Sequence, residues 1–210
     1  CSMLFIIPGF PFITSGIDLA KLDLRSGLER LTYALIIILV ATMGAWITAM
    51  ILKLQPEDFI AVHLGTASRL IFRLCASFCG VLGFSIMFNS SIPMASTAAM
   101  IGAVANTLRL SLIDFTGMPA VAAFTGALAA GLLASLIKKN NGYPRISLTV
   151  PSIVIMVPGL YFYRGFYNLG VMSLNEAVSW LAAAILIVVA LPLGLIFARI
   201  FTDRTFRYCT

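Results

Sequence analysis

The chain has 210 residues, of which 60% are hydrophobic and 10% charged, and its mean hydropathy is +1.03. Soluble domains carry about a quarter charged residues, so this composition cannot cover a soluble surface and reads as a membrane protein. The formal net charge of +6 comes from Lys and Arg scattered singly or in pairs between apolar segments. They form no basic stripe, which speaks against a nucleic-acid partner and for loops facing an anionic leaflet.

The chain enters in mid-segment with CSMLFII and lacks the basic n-region and cleavage pattern of a signal peptide; the expectation is a fragment of a longer protein. Residues 3–13 read as the tail of a helix whose beginning is missing. Residues 31–52 and 177–198 are uncharged and long enough for the roughly 17–25 residues that cross a bilayer core. Between them, residues 70–88, 92–108, 118–137 and 146–163 are further spans. The fold class expected is an all-α polytopic membrane protein with about six transmembrane helices plus the truncated one.

Small residues four apart mark two of these segments. Ala122, Gly126 and Ala130, with Ala123, Ala127 and Gly131, predict a central, protein-packed helix, because such stripes let backbones approach closely. Cys75, Cys79 and Gly83 form a second stripe. The cysteines have no metal-ligand spacing, Cys1 and Cys209 being terminal, and are read as structural. No metal and no cofactor is expected.

If every segment crosses, one side holds Lys21, Arg25, Arg30, Lys138, Lys139, Arg145, Arg199, Arg204 and Arg207. The other holds Lys53, Arg69, Arg73, Arg109 and Arg164. This bias predicts a multi-pass protein of the cell (inner or plasma) membrane with a cytoplasmic C-terminus. The polar stretch 53–69, with the sole histidine His63, marks a boundary: residues 1–58 read as the closing helices of a first transporter half, and residues 59–210 as a second half of five transmembrane helices.

Two stretches interrupt apolar helices in the same way. IPGFPFITSGIDLA (residues 7–20) and VPGLYFYRGFYNLG (residues 157–170) align at an offset of 150, matching Pro8 to Pro158, Gly9 to Gly159, Phe12 to Phe162, Asp18 to Asn168, Leu19 to Leu169 and Leu24 to Leu174. Each copy precedes a long apolar helix. Five spans separate the two starts, and an odd number reverses direction through the membrane, so the copies predict an inverted-topology repeat of the kind many secondary transporters use. Pro158 withholds an N–H from the carbonyl of Val154 and Gly159 lets the chain leave helical geometry. Backbone freed in this way is tolerated at membrane depth only where protein, water or ligand satisfies it.

The segments FGVLGFSIMFN, MIGAVANTLRLSL, AAFTGALAAGLLA and YPRISLTVPSIVIMVPGLYFYRGFY, with the long last helix, resemble the C-terminal membrane domain of the threonine/serine exporter family. MLFIIPGFPFITSGIDLAKLDLRSGLERL resembles the closing part of that family's N-terminal domain. The resemblance spans essentially the whole chain, with the Pro-Gly segments its distinctive part. It implies a proton-coupled exporter of small hydroxy amino acids, in a family of ten-helix proteins that are sometimes split into two subunits linked to dicarboxylate export. Most of the family's first half is missing from the pattern, so a missing N-terminal half or a partner subunit is expected for activity.

Charges within membrane segments are functional candidates. Arg109 shares a helical face with Asn106, its alternative being to snorkel to the interface; Asp114 is placed in the following loop. Arg164, at the edge of the second break, suits a carboxylate held in bidentate fashion, against an anchoring role among Tyr161, Tyr163 and Tyr167. Asp18, beside the first break, could hold an ammonium group or the coupling proton, or stay solvated with Lys21. His63 is read as exposed, with a proton relay as the alternative. Ser96, Thr97, Thr107 and Thr125 are read as bonding back to helix carbonyls, with substrate contact as the alternative. The candidate substrate-binding set is Pro8, Gly9, Asp18, Asn106, Arg109, Pro158, Gly159, Arg164 and Asn168.

The function expected is a secondary exporter of threonine or serine. The alternatives are a dicarboxylate (succinate-type) exporter subunit using Arg109 with Arg164, a passive channel, or a non-transporting scaffold. Neither a GxSG serine nor paired membrane aspartates with GxGD occur, so an intramembrane protease is not expected. The partners expected are the lipid bilayer, a small polar amino acid or carboxylate, and protons as the coupling ion; no nucleic acid is expected, and oligomerisation is left open.

Overall fold

The computed structural model describes residues 8–53 and 65–203, whose regular structure is entirely helical. In chain order the helices are α1 (Gly9–Ala20), α2 (Leu24–Ile51), α3 (Thr66–Met87), α4 (Ile92–Thr116), α5 (Pro119–Asn141), α6 (Arg145–Val154), α7 (Gly159–Gly170) and α8 (Leu174–Thr202). Among the described residues, six stretches are long and apolar enough to cross a membrane: α2, α3, α4, Pro119–Ile137 within α5, α6 with α7, and α8. At about 1.5 Å per residue, the 28 residues of α2 reach well beyond a hydrocarbon core about 30 Å thick. The protein is an all-α polytopic membrane protein.

Several boundaries differ from the sequence expectation. Residues 14–30 are not a loop: α1 runs to Ala20, the turn takes only residues 21–23, and α2 starts at Leu24. The α4 helix continues past residue 108 to Thr116, which puts Asp114 on a helix and not in a loop. There it pairs with Arg73 at 2.6 Å and Arg69 at 3.8 Å, tying the start of α3 to the end of α4. The span expected at 146–163 is two helices, and α7 carries on to Gly170. Asp18 and Asp114, polar residues at helix ends, are satisfied there by Arg30 and by Arg73 with Arg69. His63 and the proposed boundary at 58/59 lie outside the described residues.

The α5 stripe behaves as its spacing predicts. Ala122, Ala123, Ala127 and Ala130 are fully buried, and a Cβ on Gly126 would press on Arg109 and on the Ala105 carbonyl. The α3 stripe does not: Cys75 and Cys79 are exposed, and nothing lies within 4 Å of a Cβ on Gly83. That face of α3 is exposed, and the helix packs instead through Ser77, Val81, Phe84 and Ser85. Ser96 and Thr97 bond back to the Pro93 carbonyl and Thr125 to those of Val121 and Ala122. Thr107 departs from that expectation, its buried hydroxyl having no hydrogen-bond partner.

The two Pro-Gly hairpins repeat at an offset of 150 in the backbone itself. α1 and α7 each have 12 residues. Pro8 (φ −77°, ψ 63°) matches Pro158 (φ −81°, ψ 50°), and the turns contain Leu22 (φ 64°) and Met172 (φ 62°), both left-handed without being glycine. The closing bonds recur too: the Asp23 N–H donates to the Asp18 carbonyl at 3.1 Å and the Ser173 N–H to the Asn168 carbonyl at 2.9 Å.

The hairpins cross reciprocally, α1 packing on α8 and α2 on α7. One apolar cluster contains Phe12 with Phe162 and Ala34 with Ala184, joined by Leu31 with Leu181 and Ile38 with Val188. These are equivalent pairs, as expected where a local two-fold axis passes. Phe12 and Phe162 stack across it, with centroids 6.1 Å apart and planes 12° from parallel.

Candidate functional site

The direction of the two short helices follows from their contacts. A Cβ on Gly9, at the start of α1, would sit 3.1 Å from the Val157 side chain, two residues before α7 begins. The far end of α1 instead shares a cavity with the last turns of α8, while Gly170, at the far end of α7, lies against Trp46 of α2. Thus α1 and α7 begin side by side and diverge toward opposite ends of the molecule. This is the geometry of discontinuous helices in transporters, whose N-terminal ends lie near mid-membrane.

At the second break Pro158 cannot serve the carbonyl of Val154, which accepts the Val157 N–H at 3.2 Å instead; the Gly159 N–H turns back to the Val157 carbonyl at 2.9 Å. The chain therefore leaves α6 through tight turns and re-enters helix at α7. Neither α1 nor α7 has a side-chain cap, so their first-turn N–H groups keep the partial positive charge of an open helix start. The broken span is also the most enclosed: 67% of its most apolar window is buried, against 22% for α2.

Arg109 stands beside this break. Gly126, lacking a side chain, lets the Arg109 stem and the Met156 sulfur approach the same point, 3.0 Å and 3.3 Å from where a Cβ would be. Arg109 is 8% exposed, and its Nε has no hydrogen-bond partner. It does not snorkel to the interface. Its Nη1 donates to Asn106 Oδ1 at 3.3 Å, and Asn106 Nδ2 donates to Ser77 Oγ at 2.8 Å, so the same-face reading of Asn106 and Arg109 holds. No carboxylate among the described residues pairs with this guanidinium. A buried cation without a counter-ion is expensive, and an arriving anion would relieve that cost.

The Tyr161 phenol is within electrostatic range of Arg109. Its ring meets Trp180 edge-on, with centroids 5.4 Å apart, and the Arg164 guanidinium lies over the Trp180 ring, 4.7 Å from its centroid. Arg164 is exposed, and Tyr161 is half-buried, packed against both apolar clusters.

The remaining candidates are spread out. Asp18 is nine residues beyond Gly9, about 13 Å along the helix. It pairs with Arg30 at 3.2 Å and accepts from Ser26 Oγ at 3.4 Å. Asn168 occupies the matching place at the far end of α7. The structure brings together Pro8, Gly9, Pro158, Gly159, Arg109 and Asn106, and leaves Asp18, Asn168 and Arg164 outside that group. Sequence reasoning missed Ser77, Met156 and Trp180, and named Gly126 and Tyr161 only for packing and anchoring. Only Ser77, a hydroxyl inside an apolar helix four residues after Arg73, carried a signal, because the others look like ordinary membrane residues until packing places them.

Residues 73–201 match the family model described as Threonine/Serine exporter, ThrE, and residues 1–52 match a second threonine/serine exporter model. No curated protein and no solved structure matched the chain. The first match covers more than half of the 210 residues, and the chain belongs to the threonine/serine exporter family.

Proposed function

We propose that the protein exports threonine or serine, driven by the proton gradient, and that Arg109 with the open start of α7 holds the substrate carboxylate. The observation that carries this reading is the buried guanidinium of Arg109 beside the broken helix, which no carboxylate among the described residues pairs with. Helix starts and guanidinium groups both favour carboxylates, and in a low-dielectric interior their effects are large. Asn106 and Ser77 orient the arginine by the bonds described above. The burial of Arg109 and the exposure of Arg164 support one bound carboxylate over two, and hence an amino acid over a dicarboxylate. The excess of Lys and Arg on the side of the C-terminus supports a cytoplasmic C-terminus.

The test is efflux of labelled threonine, serine and succinate from cells expressing the intact exporter, with and without a protonophore. Threonine and serine should leave in a gradient-dependent manner, and Arg109→Ala should remove that flux at equal surface expression. Full efflux from Arg109→Ala would sink the site, and succinate efflux alone would replace the substrate.

A further inference from the structure

The local two-fold makes the two hairpins comparable position by position, and their far ends differ. At the end reached by α1, a cavity of about 220 Å³ opens between α1, α6 and α8. It is smaller than the ~300–1,000 Å³ of sites for drug-sized ligands, so it suits a small solute. Its apolar wall includes Ile17, Ala20 and Ile196, and its charged rim is formed by Lys21, Arg145, Arg199 and Asp203. Arg145 is held in place by Thr202 Oγ1 at 2.8 Å and the Gly131 carbonyl at 3.1 Å.

Subtracting or adding 150 gives the mirrored place at the other end. There Ala20 becomes Gly170 and Ile196 becomes Trp46, and the indole fills the space: a Cβ on Gly170 would overlap the ring. The Trp46 Nε1 is buried and has no hydrogen-bond partner, a state that costs about 1–3 kcal/mol where a polar group is left unpaired. Lys21 and Arg199 become Val171 and Ala49, and Asp203 becomes Lys53. On the α1 and α8 walls, the only ones with counterparts in this chain, one end is open and charged, whereas at the other an indole packs on Gly170 and those charges are replaced.

We propose that the cavity between α1, α6 and α8 is the vestibule through which a small zwitterion reaches the broken helices, and that Trp46 is the plug that closes the mirrored vestibule. The rim offers Lys21 and Arg145 for a carboxylate, and the Arg199–Asp203 pair at 3.8 Å places an acidic group beside them for an ammonium group. Withdrawal of Trp46 from Gly170, with closure around Ala20, exchanges the two ends. This rests on the transport reading for its occupant, whereas the plug stands on the packing alone.

The experiment labels single cysteines in the intact exporter with its native cysteines replaced, in permeabilised membranes that expose both faces to a hydrophilic maleimide. Ile196→Cys reports the open vestibule and Ala49→Cys the plugged one. With the plugged end open in only a minor population, Ala49→Cys should react at least about tenfold more slowly. Trp46→Ala should bring the two rates together, and Trp46→Phe should preserve the gap. Gly170→Ala, which pushes on the indole, should also speed Ala49→Cys, so the proposal does not depend on one variant folding. Equal rates in the parent, or a slow Ala49→Cys after both Trp46→Ala and Gly170→Ala, would overturn the plug. Slowing of Ile196→Cys by millimolar threonine supports the zwitterion vestibule, and no slowing overturns it. A parent that transports no threonine yet keeps the rate difference refutes the transport reading while leaving the plug intact.

Discussion

The hairpin α1–α2 and the hairpin α7–α8 share one backbone and use it differently. In the first, Arg30 reaches Asp18 in a half-buried ion pair. In the second, the position equivalent to Arg30 is Trp180, which receives Arg164 on its face, while the position equivalent to Arg164 is Thr14, bonded to its own helix at the Phe10 carbonyl. The first break meets the apolar side chains of Val154 and Val157; the second has Arg109 beside it. A duplicated frame thus supplies two helix starts, and a few side chains decide which of them faces buried charge and which end is open.

The largest effect should come from mending the breaks one at a time. Pro158→Ala with Gly159→Ala would let α6 run into α7, since proline in a helix interior costs about 3 kcal/mol and its removal restores the ladder. Threonine efflux should fall by more than about tenfold, equivalent to about 1.4 kcal/mol, at unchanged membrane insertion. The matching pair at Pro8 and Gly9 should do less, because Arg109 stands at the other break; equal losses would show that the two breaks contribute alike.

Packing at the two ends gives the next contrast. Gly170→Leu drives a side chain into Trp46 and should lower stability by about 1–3 kcal/mol, read as a lower Tm in detergent. Ala20→Leu, at the mirrored position, extends into the cavity and should shift stability by no more than about 0.5 kcal/mol. Arg164→Ala gives up a cation–π contact of about 0.5–2 kcal/mol and should reduce efflux a few-fold, far less than Arg109→Ala, as measured by initial rates at equal expression. The smallest effect is expected for Asp18→Asn, which makes the first hairpin resemble the second. A partly exposed ion pair is worth about 0–1 kcal/mol, so Tm should barely move and efflux should persist; loss of proton dependence in this variant would restore Asp18 as the coupling residue.

Composition alone settles the membrane class, because too few charges remain to cover a soluble surface. The 150-residue offset between Pro8-Gly9 and Pro158-Gly159 was legible as a string match, and so was the α5 stripe, since small residues at a spacing of four have one strong physical use in lipid. Asn106 and Arg109 could be placed on one face by helical periodicity. Periodicity could not tell that the Cys75 stripe is exposed, because a small residue serves equally well against a neighbour or against nothing. It also misjudged the ends of α1, α4 and α7, where Asp18, Asp114 and Asn168 looked like loop residues.

What only tertiary structure decided is how far each polar group is from water and from its partner. Ser77, Gly126 and Met156 are distant in sequence and acquire meaning only when α3, α5 and the α6–α7 break close around Arg109. The exposure of Arg164 and the burial of Arg109 follow from the same cause: both arginines follow apolar helix segments, and the identity of the neighbouring helix determines whether the charge meets solvent and an indole or a closed interior. Local sequence therefore fixed the elements and their duplication, while the asymmetry between the two copies arises from contacts between helices far apart in the chain.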